Sequence, residues 1–384
     1  MLLGVSVLLH AYVGWRLIPA LAVWPLAWVP LALLLACSAA LVPKGLIRPR
    51  LRSRWMAATL SWIAFLLMGL FSSLFVLTVI RDAILLLITL ANALSPGAIA
   101  LPHFVTDSAA LIPPIALLIT LLGLFNARRT AAVVSVDVPI ADLPEALHGF
   151  TIAQISDVHV GPTIKAPYLR AIVETVNRLN ADMVAITGDL VDGGVHELAA
   201  HVQPLAQLSS RHGTFFVTGN HEYYSGADAW IEQLRRLQVC VLMNEHVVLH
   251  HDTGALVVAG VTDVSGHHFD PRHRSDPQAA IAGAPASASV RLLLAHQPRS
   301  ADAAAKAGFH LQLSGHTHGG QFWPWNHFVK LQQPFVAGLH RVRDMWVYIS
   351  RGTGYWGPPK RFGAPSEITR LKLIRLGPRQ GGTG

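Results

Sequence analysis

The chain has 384 residues, 52% of them hydrophobic and only 14% charged, with a formal net charge of +8. Residues 1–129 hold nine Lys/Arg and two Asp/Glu, against 21 and 20 in residues 130–384, so the positive excess belongs to the first third. That distribution argues against a nucleic-acid partner behind the high pI, and two cysteines as far apart as Cys37 and Cys240 argue against a disulfide framework.

Residues 1–126 read as membrane-spanning. Crossing the hydrocarbon takes about 20 mostly apolar residues. Four stretches qualify: 2–20 (interrupted by Arg16), 22–42, 55–80 and 111–125. No charge falls within 55–80, which sets it apart from a buried helix of a soluble core. Residues 83–94 are also apolar, but they follow Arg81 and Asp82 and read as an interfacial continuation rather than a fifth span. The opening lacks the basic n-region of a cleaved signal peptide. Lys44, Arg48, Arg50, Arg52 and Arg54 form one basic loop, and Arg128 with Arg129 a second. Positive loops stay cytoplasmic, and four spans put both loops on one side. The expectation is a multi-pass protein of the cell inner membrane with its C-terminal domain in the cytoplasm.

From residue 130 the pattern changes to short β-rich runs alternating with amphipathic helices. Strands are expected at 131–138, 150–155, 183–187, 214–218, 239–243, 247–250, 255–261, 290–295, 310–313, 345–350 and 368–374, and helices at 167–180, 196–208 and 229–237. The first helix carries Leu169, Ile172, Val173, Val176 and Leu179 as one stripe, and Pro204 is expected to kink the second. Residues 266–289, rich in Pro, His and Ala, read as a surface excursion, and 377–384 as a disordered tail. The alternation indicates one α/β domain over 130–376 behind a helical region over 1–129.

Five strand ends of this domain finish in metal-ligand chemistry. The first, ISDVH, supplies Asp157 and His159; TGD supplies Asp189; TGNHE supplies Asn220 and His221; LAH supplies His296; and SGHTHGGQ at 314–321 supplies His316 and His318. In open α/β sheets, sites form beyond the carboxyl ends of strands. Residues two apart on an extended segment point to one side, so both histidines of HTH can face one site, and the surrounding glycines leave room for it. Imidazole is the commonest protein ligand for a transition metal. Taken singly, Asp189 reads as a turn residue, Asn220-His221 as a loop pair and His296 as a core histidine. Taken together, the five strand ends read as a metal site. His250, His251, His267 and His268 have no such motif and read as surface.

In this order, D-x-H, G-D, G-N-H-E, a lone His and G-H-T-H resemble the calcineurin-like metallophosphoesterases. The likeness covers roughly residues 133–376. The ending GHTHGGQ, the later SRGTG and PSEI, and the apolar N-terminal region are similar to the bacterial membrane-associated branch, which includes UDP-2,3-diacylglucosamine hydrolases. The resemblance implies an α/β fold, a sandwich of two mixed sheets flanked by helices. It implies that Asp157, His159 and His318 bind one divalent metal, that Asn220, His296 and His316 bind another, and that Asp189 bridges them. Two such cations about 3.5–4 Å apart acidify a bridging water and clamp phosphoryl oxygens. The mixed N/O ligand set suits Mn, Fe or Zn. The resemblance further makes His221 the general acid that protonates the leaving group, with Asp192 orienting it, although Asp192 also reads as a turn residue before Gly193 and Gly194.

A second charge asymmetry bears on the substrate. Residues 130–329 hold 11 basic and 18 acidic groups, and 330–384 hold ten and two. Arg351, Lys360 and Arg361 lie in a Gly/Pro-rich stretch suited to gripping phosphate oxygens or to resting on anionic lipid, and Arg351 and Arg361 are the candidate substrate contacts. Tyr355, Trp356, Trp323 and Trp325 are candidates for an apolar or base-stacking pocket. The expected function is a membrane-anchored, binuclear, metal-dependent phosphoesterase. Its substrate is expected to be a phosphorylated small molecule or a lipid-linked one, with membrane lipid as the further partner. A scaffold that kept the fold without turnover would not need the complete ligand set together with His221, and a transporter with a regulatory domain is disfavoured because the spans carry no acidic residue apart from Asp82 at an edge.

Overall fold

The four apolar runs form helices α1 (Leu2–Leu21), α2 (Trp28–Ile47), α3 (Arg54–Leu94) and α4 (Leu101–Arg128), each long and apolar enough to cross a membrane. They come from a computed structural model of the chain that describes residues 1–47, 54–95 and 100–376. The tail expected to be disordered, 377–384, lies outside the described residues, as do Arg48, Arg50 and Arg52 of the first basic loop.

Helix α3 has 41 residues, about 60 Å at 1.5 Å per residue and roughly twice a hydrocarbon thickness. It runs unbroken through Arg81 and Asp82. Both charges are met from neighbouring helices: Arg81 donates to Ser108 Oγ and the Val105 carbonyl, and Asp82 accepts from Arg16 and Tyr12. Residues 83–94 therefore continue the same helix.

Among the remaining described residues, twelve strands form two six-stranded sheets. In chain order they are β1 (Ala132–Ile140), β2 (Thr151–Ile155), β3 (Met183–Ile186), β4 (Thr214–Phe216), β5 (Cys240–Val241), β6 (Glu245–His251), β7 (Gly254–Gly260), β8 (Val290–Leu294), β9 (Leu311–Ser314), β10 (Gly338–Val342), β11 (Met345–Ile349) and β12 (Glu367–Arg375). The first sheet runs β1-β12-β2-β3-β4-β5, with β2 to β5 parallel and β12 antiparallel to β2. The second runs β10-β11-β9-β8-β7-β6, parallel from β11 to β7 and antiparallel at both edges. Strand β10 was not expected from the sequence: its five residues, GLHRV, are only half-buried at a sheet edge and show no clear apolar run.

Inner faces of the two sheets share one core, where Ile152, Met183 and Phe215 of the first meet Leu256, Leu292 and Leu311 of the second. Every residue of β2 and β3 is buried, as suits parallel strands covered on both faces. The outer face of the second sheet packs Val257, Leu293 and Val347 against Ala280, Ala301 and Ala304. Helix α5 (Ala166–Arg178) buries Leu169, Ile172, Val173 and Val176, the stripe read from its sequence. Helix α6 (Val195–Val202) ends two residues before Pro204 and passes into a 3-10 turn over Gln203–Gln207 instead of kinking. The expected surface excursion 266–289 includes the short helix α9 (Pro277–Ile281), which buries Ala280 and Ile281, following α7 (Asn220–Ser225) and α8 (Ala227–Arg236) in the chain.

The chain falls into two compact units. One is Met1–Arg128 together with Gly357–Phe362, and the other is Arg129–Trp356 with Gly363–Gly384. The six residues 357–362 thus pack with the helices, where Lys360 Nζ donates to the Gly69 carbonyl and to Ser73 Oγ.

Candidate metal centre

All the expected site residues of the α/β unit lie just past the carboxyl ends of strands, but not in extended backbone. Strand β2 stops at Ile155 and β9 at Ser314. Beyond them Asp157, His159, His316 and His318 adopt left-handed conformations, with φ of 53°, 56°, 71° and 52°, and Asp189 after β3 does the same at 50°. Such backbone costs of order 1–3 kcal/mol per non-glycine residue and persists only where the surroundings enforce it. His316 and His318 consequently face different neighbours rather than one. His316 Nδ1 lies 3.2 Å from His296 Nε2, whereas His318 Nε2 lies 3.0 Å from His159 Nε2 and 3.5 Å from Asp157 Oδ1.

Two sets of ligand atoms converge on these turns. Asp157, His159 and His318 form one, and Asp189, His296 and His316 the other, while Asp189 also lies within reach of His159 and His221. The donors are pre-oriented. His296 Nδ1 donates to the Thr187 carbonyl at 2.8 Å, which directs its Nε2 at Asp189 Oδ2, 3.1 Å away. His159 Nδ1 is held by Asp192 Oδ1 at 3.0 Å, so its Nε2 presents a lone pair. Holding the second nitrogen of a ligating histidine in this way is what fixes its tautomer. Burial and the neighbouring His296 push the His316 imidazole down to about 3, leaving it neutral and able to ligate. Asn220 Oδ1 is buried and has no hydrogen-bond partner among the described residues.

Imidazole nitrogens and carboxylate oxygens gathered this closely, with a buried amide oxygen nearby in sequence that finds no partner among the described residues, are the donor set of a transition-metal site. The residues therefore fit a divalent cation site. Two glycines make the close approach possible: a Cβ on Gly219 would collide with the Asp189 carboxylate, and one on Gly315 with Ser156 and Asp157.

His221 stands at the opening. Its Nδ1 lies 2.6 Å from Asp192 Oδ1, so one carboxylate oxygen serves both His159 and His221. Burial pushes the Asp192 carboxyl up, but the two imidazoles outweigh it and hold the group well below the usual carboxylate range. Burial opposes protonation of His221, yet Asp189 and the hydrogen bond to Asp192 carry it up to about 9. Its side chain is 17% exposed, against 0–3% for Asp157, His159, Asp189 and His296.

Arg351 lies against the same loops. Its guanidinium is paired with buried Glu367 at 2.9 Å, its side chain is 39% exposed, and a Cβ on Gly319 would touch it. Arg361 is not with this cluster's unit. It is buried in the 357–362 segment, where its backbone N–H donates to the Gly123 carbonyl. Of the candidate aromatics, Tyr355 is buried while Trp356 is 45% exposed and its ring centre is 5.8 Å from that of His221.

Several positioning residues were not singled out from the sequence. Glu222 accepts the backbone N–H groups of Gly219, Asp189, Leu190 and Val191 at 2.7–3.3 Å, tying the Asp189 turn to the Asn220 turn. Trp230 Nε1 donates to the Gly193 carbonyl and pins the turn after Asp192. Gln321 grips Trp356 at both its N–H and its C=O, each at 2.8 Å. The glutamate of GNHE and the glutamine of GGQ stood beside the ligands in sequence, but only the fold shows the backbone groups they hold. Expected surface residue His251 is instead buried, with Nδ1 3.0 Å from His212 Nε2 and the ring against Phe150.

Comparison with known proteins agrees with this geometry. The family described as calcineurin-like phosphoesterase matches residues 150–320. A "Transmembrane protein with metallophosphoesterase domain" from Danio rerio is 39% identical over 259 residues, covering 65% of this chain and 59% of that protein. An uncharacterized metallophosphoesterase of Campylobacter jejuni is 38% identical over 250 residues, covering 65% and 64%. One from Aquifex aeolicus is 32% identical over 224 residues, covering 58% and 84%. The chain thus spans less than two thirds of the length of the first two of these relatives.

Proposed function

The chain belongs to the calcineurin-like phosphoesterase family, a hydrolase family, and from that premise we propose a membrane-anchored phosphoesterase with a binuclear metal centre that cleaves a phosphodiester or pyrophosphate bond. The observation that carries the proposal is the convergence of ligand atoms in two groups, Asp157, His159 and His318 in one and Asp189, His296 and His316 in the other, with the buried Asn220 oxygen left without a partner among the described residues. In this reading Asp157, His159 and His318 hold one divalent transition metal, Asn220, His296 and His316 hold another, and Asp189 is shared. Mn, Fe and Zn all suit the donor set. When bound, the cations supply Lewis acidity towards the phosphoryl group and the attacking water.

The chain's own residues do the rest. His221, steadied by Asp192, gives a proton to the leaving oxygen as the bond from phosphorus breaks. Arg351, pre-oriented by Glu367, meets a phosphate oxygen. Buried Arg361 is left out of this set. Four apolar helices anchor the enzyme in a bilayer, and the basic residues Lys44–Arg54 and Arg128–Arg129 favour a cytoplasmic active site in an inner membrane; a reporter fused after residue 384 that behaved as periplasmic would reverse that orientation.

The substrate class is a phosphorylated small molecule or a lipid-linked one. The test is a hydrolysis screen of the purified full chain with Mn, across generic phosphodiesters, phosphomonoesters and nucleotide-diphospho-lipids. Metal-dependent release of product is the expected result. Full metal occupancy with no product from any class would instead make the protein a scaffold.

A further inference from the structure

The opening of the candidate metal centre is lined by aromatic rings that the phosphoryl chemistry does not use. His221, with 17% of its side chain exposed, is flanked on two sides. The Tyr224 ring centre lies 5.3 Å from that of His221 and the Trp356 centre 5.8 Å, both meeting it edge-on. Phe269 continues the row, 5.7 Å from Tyr224. The three rings are 63%, 45% and 53% exposed in the order Tyr224, Trp356, Phe269. Large aromatics left in water beside one another mark a surface that something apolar covers. They are also held in place: Gln321 of the metal-bearing loop clamps the Trp356 backbone, and Phe269 stacks against buried Tyr223, 5.6 Å away, as well as Tyr224.

We infer that these rings form a subsite for the leaving group, and that the preferred substrates are phosphoesters of an alcohol with an apolar body. The inference rests on the hydrolase reading above and deepens it. In that reaction water adds to phosphorus, the bond to the leaving oxygen breaks with its electron pair staying on oxygen, and His221 supplies the proton that makes the alcohol. The proton released by the attacking water returns to His221 through solvent. Whatever is attached to the leaving oxygen must therefore pass over the residues around His221, and two of the three rings touch it. Contact with the proton donor distinguishes a leaving-group subsite from a patch that merely rests on a bilayer or on another protein.

The test is a homologous series: ethyl, butyl and hexyl esters of the phosphoester class the protein hydrolyses, kept below micelle formation. Leaving-group acidity barely changes along it, so rate differences report binding of the chain. Half-burying each added methylene should raise kcat/KM about twofold, on the order of tenfold from ethyl to hexyl. Phe269→Ala and Trp356→Ala should flatten that slope. Leu331→Ala, an exposed apolar residue outside the row, should leave it unchanged. Alkylphosphonates of the same lengths, bound to the metal-loaded chain and followed by calorimetry, should show the same order of affinity without turnover. A flat series in the wild type, or a slope that survives both substitutions, would overturn the inference. Absence of turnover on every ester would strike the hydrolase reading instead, and the phosphonate arm would still decide the subsite.

Discussion

Two histidines show how differently the two halves of this molecule use buried polar groups. In the helical unit, His10 is closed on both sides: Nδ1 donates to the Ser6 carbonyl at 2.7 Å and Nε2 accepts from Ser38 at 2.8 Å. In the α/β unit, His296 donates through Nδ1 to a carbonyl but turns Nε2 towards a carboxylate oxygen and another imidazole. The same contrast holds for the charges. Asp82 receives Arg16 at 2.8 Å and Tyr12 at 2.7 Å, while Asp189 accepts the His221 N–H at 2.9 Å through Oδ1 and turns Oδ2 to the His296 imidazole at 3.1 Å, within a group that also gathers His316. A closed network needs nothing from outside and serves packing. One that gathers imidazoles around a shared carboxylate has the donor set for a cation, and that difference separates a structural polar cluster from a candidate site.

The most damaging way to probe the contrast is Asp189→Asn. An amide is a poor shared ligand, so elemental analysis of the purified variant should find most metal gone from both positions, with activity falling on the order of 10³-fold or more. Two metals retained at near-normal activity would remove Asp189 from the centre. Next in size is His221→Ala. It should keep its metals, because Asn220 remains, yet lose on the order of 10²–10⁴ in rate on alkyl esters. The loss should shrink on a nitrophenyl ester, whose leaving group needs no proton. An equal loss on both esters would leave His221 as a binding group only.

Glu222→Gln comes third. The amide would turn an N–H towards backbone N–H groups that the carboxylate now accepts, loosening the turns that carry Asp189 and Asn220. Chelator competition should show metal affinity lowered about 10–100-fold, with circular dichroism unchanged. Unchanged affinity would mean that the two turns hold their shape without it.

The clustered side chains were legible in the sequence as candidate ligands because each strand end spells its own chemistry, and a D-x-H or H-x-H needs no tertiary knowledge to be noticed. Their supports were not. Glu222 and Gln321 stand inside the quoted motifs and Trp230 outside them, but most of the backbone groups they hold are brought from elsewhere in the sequence by folding, so their role could not be read locally. The reason given for HTH also changed. Two residues apart on a strand share a side, but His316 and His318 sit past the strand in left-handed turns and serve different sets. Residues 357–362 read as part of one basic loop with Arg351, and the fold splits that stretch between units. In the helical unit the four apolar runs were plain, whereas α3 running unbroken through Arg81 and Asp82 depended on partners supplied by α1 and α4.

The smallest expected effect tests the closed side of the comparison. Asp82→Leu leaves Arg16 and Tyr12 without their acceptor, and takes from Arg81 an anion 3.5 Å away. Arg16 and Asp82 keep 31% and 22% side-chain exposure, so the cost is discounted from that of a fully buried pair, to about 1–2 kcal/mol. Thermal unfolding of the detergent-solubilised chain should fall accordingly, and metal content should not move. If the pair is a self-contained unit, adding Arg16→Met to Asp82→Leu should recover part of the loss, because an apolar pair needs no partner. Additive losses in the double variant would show that the two side chains act independently. Loss of metal in the single variant would break the comparison itself, since a cluster that only packs helices has no reason to govern the loading of a site built from other residues.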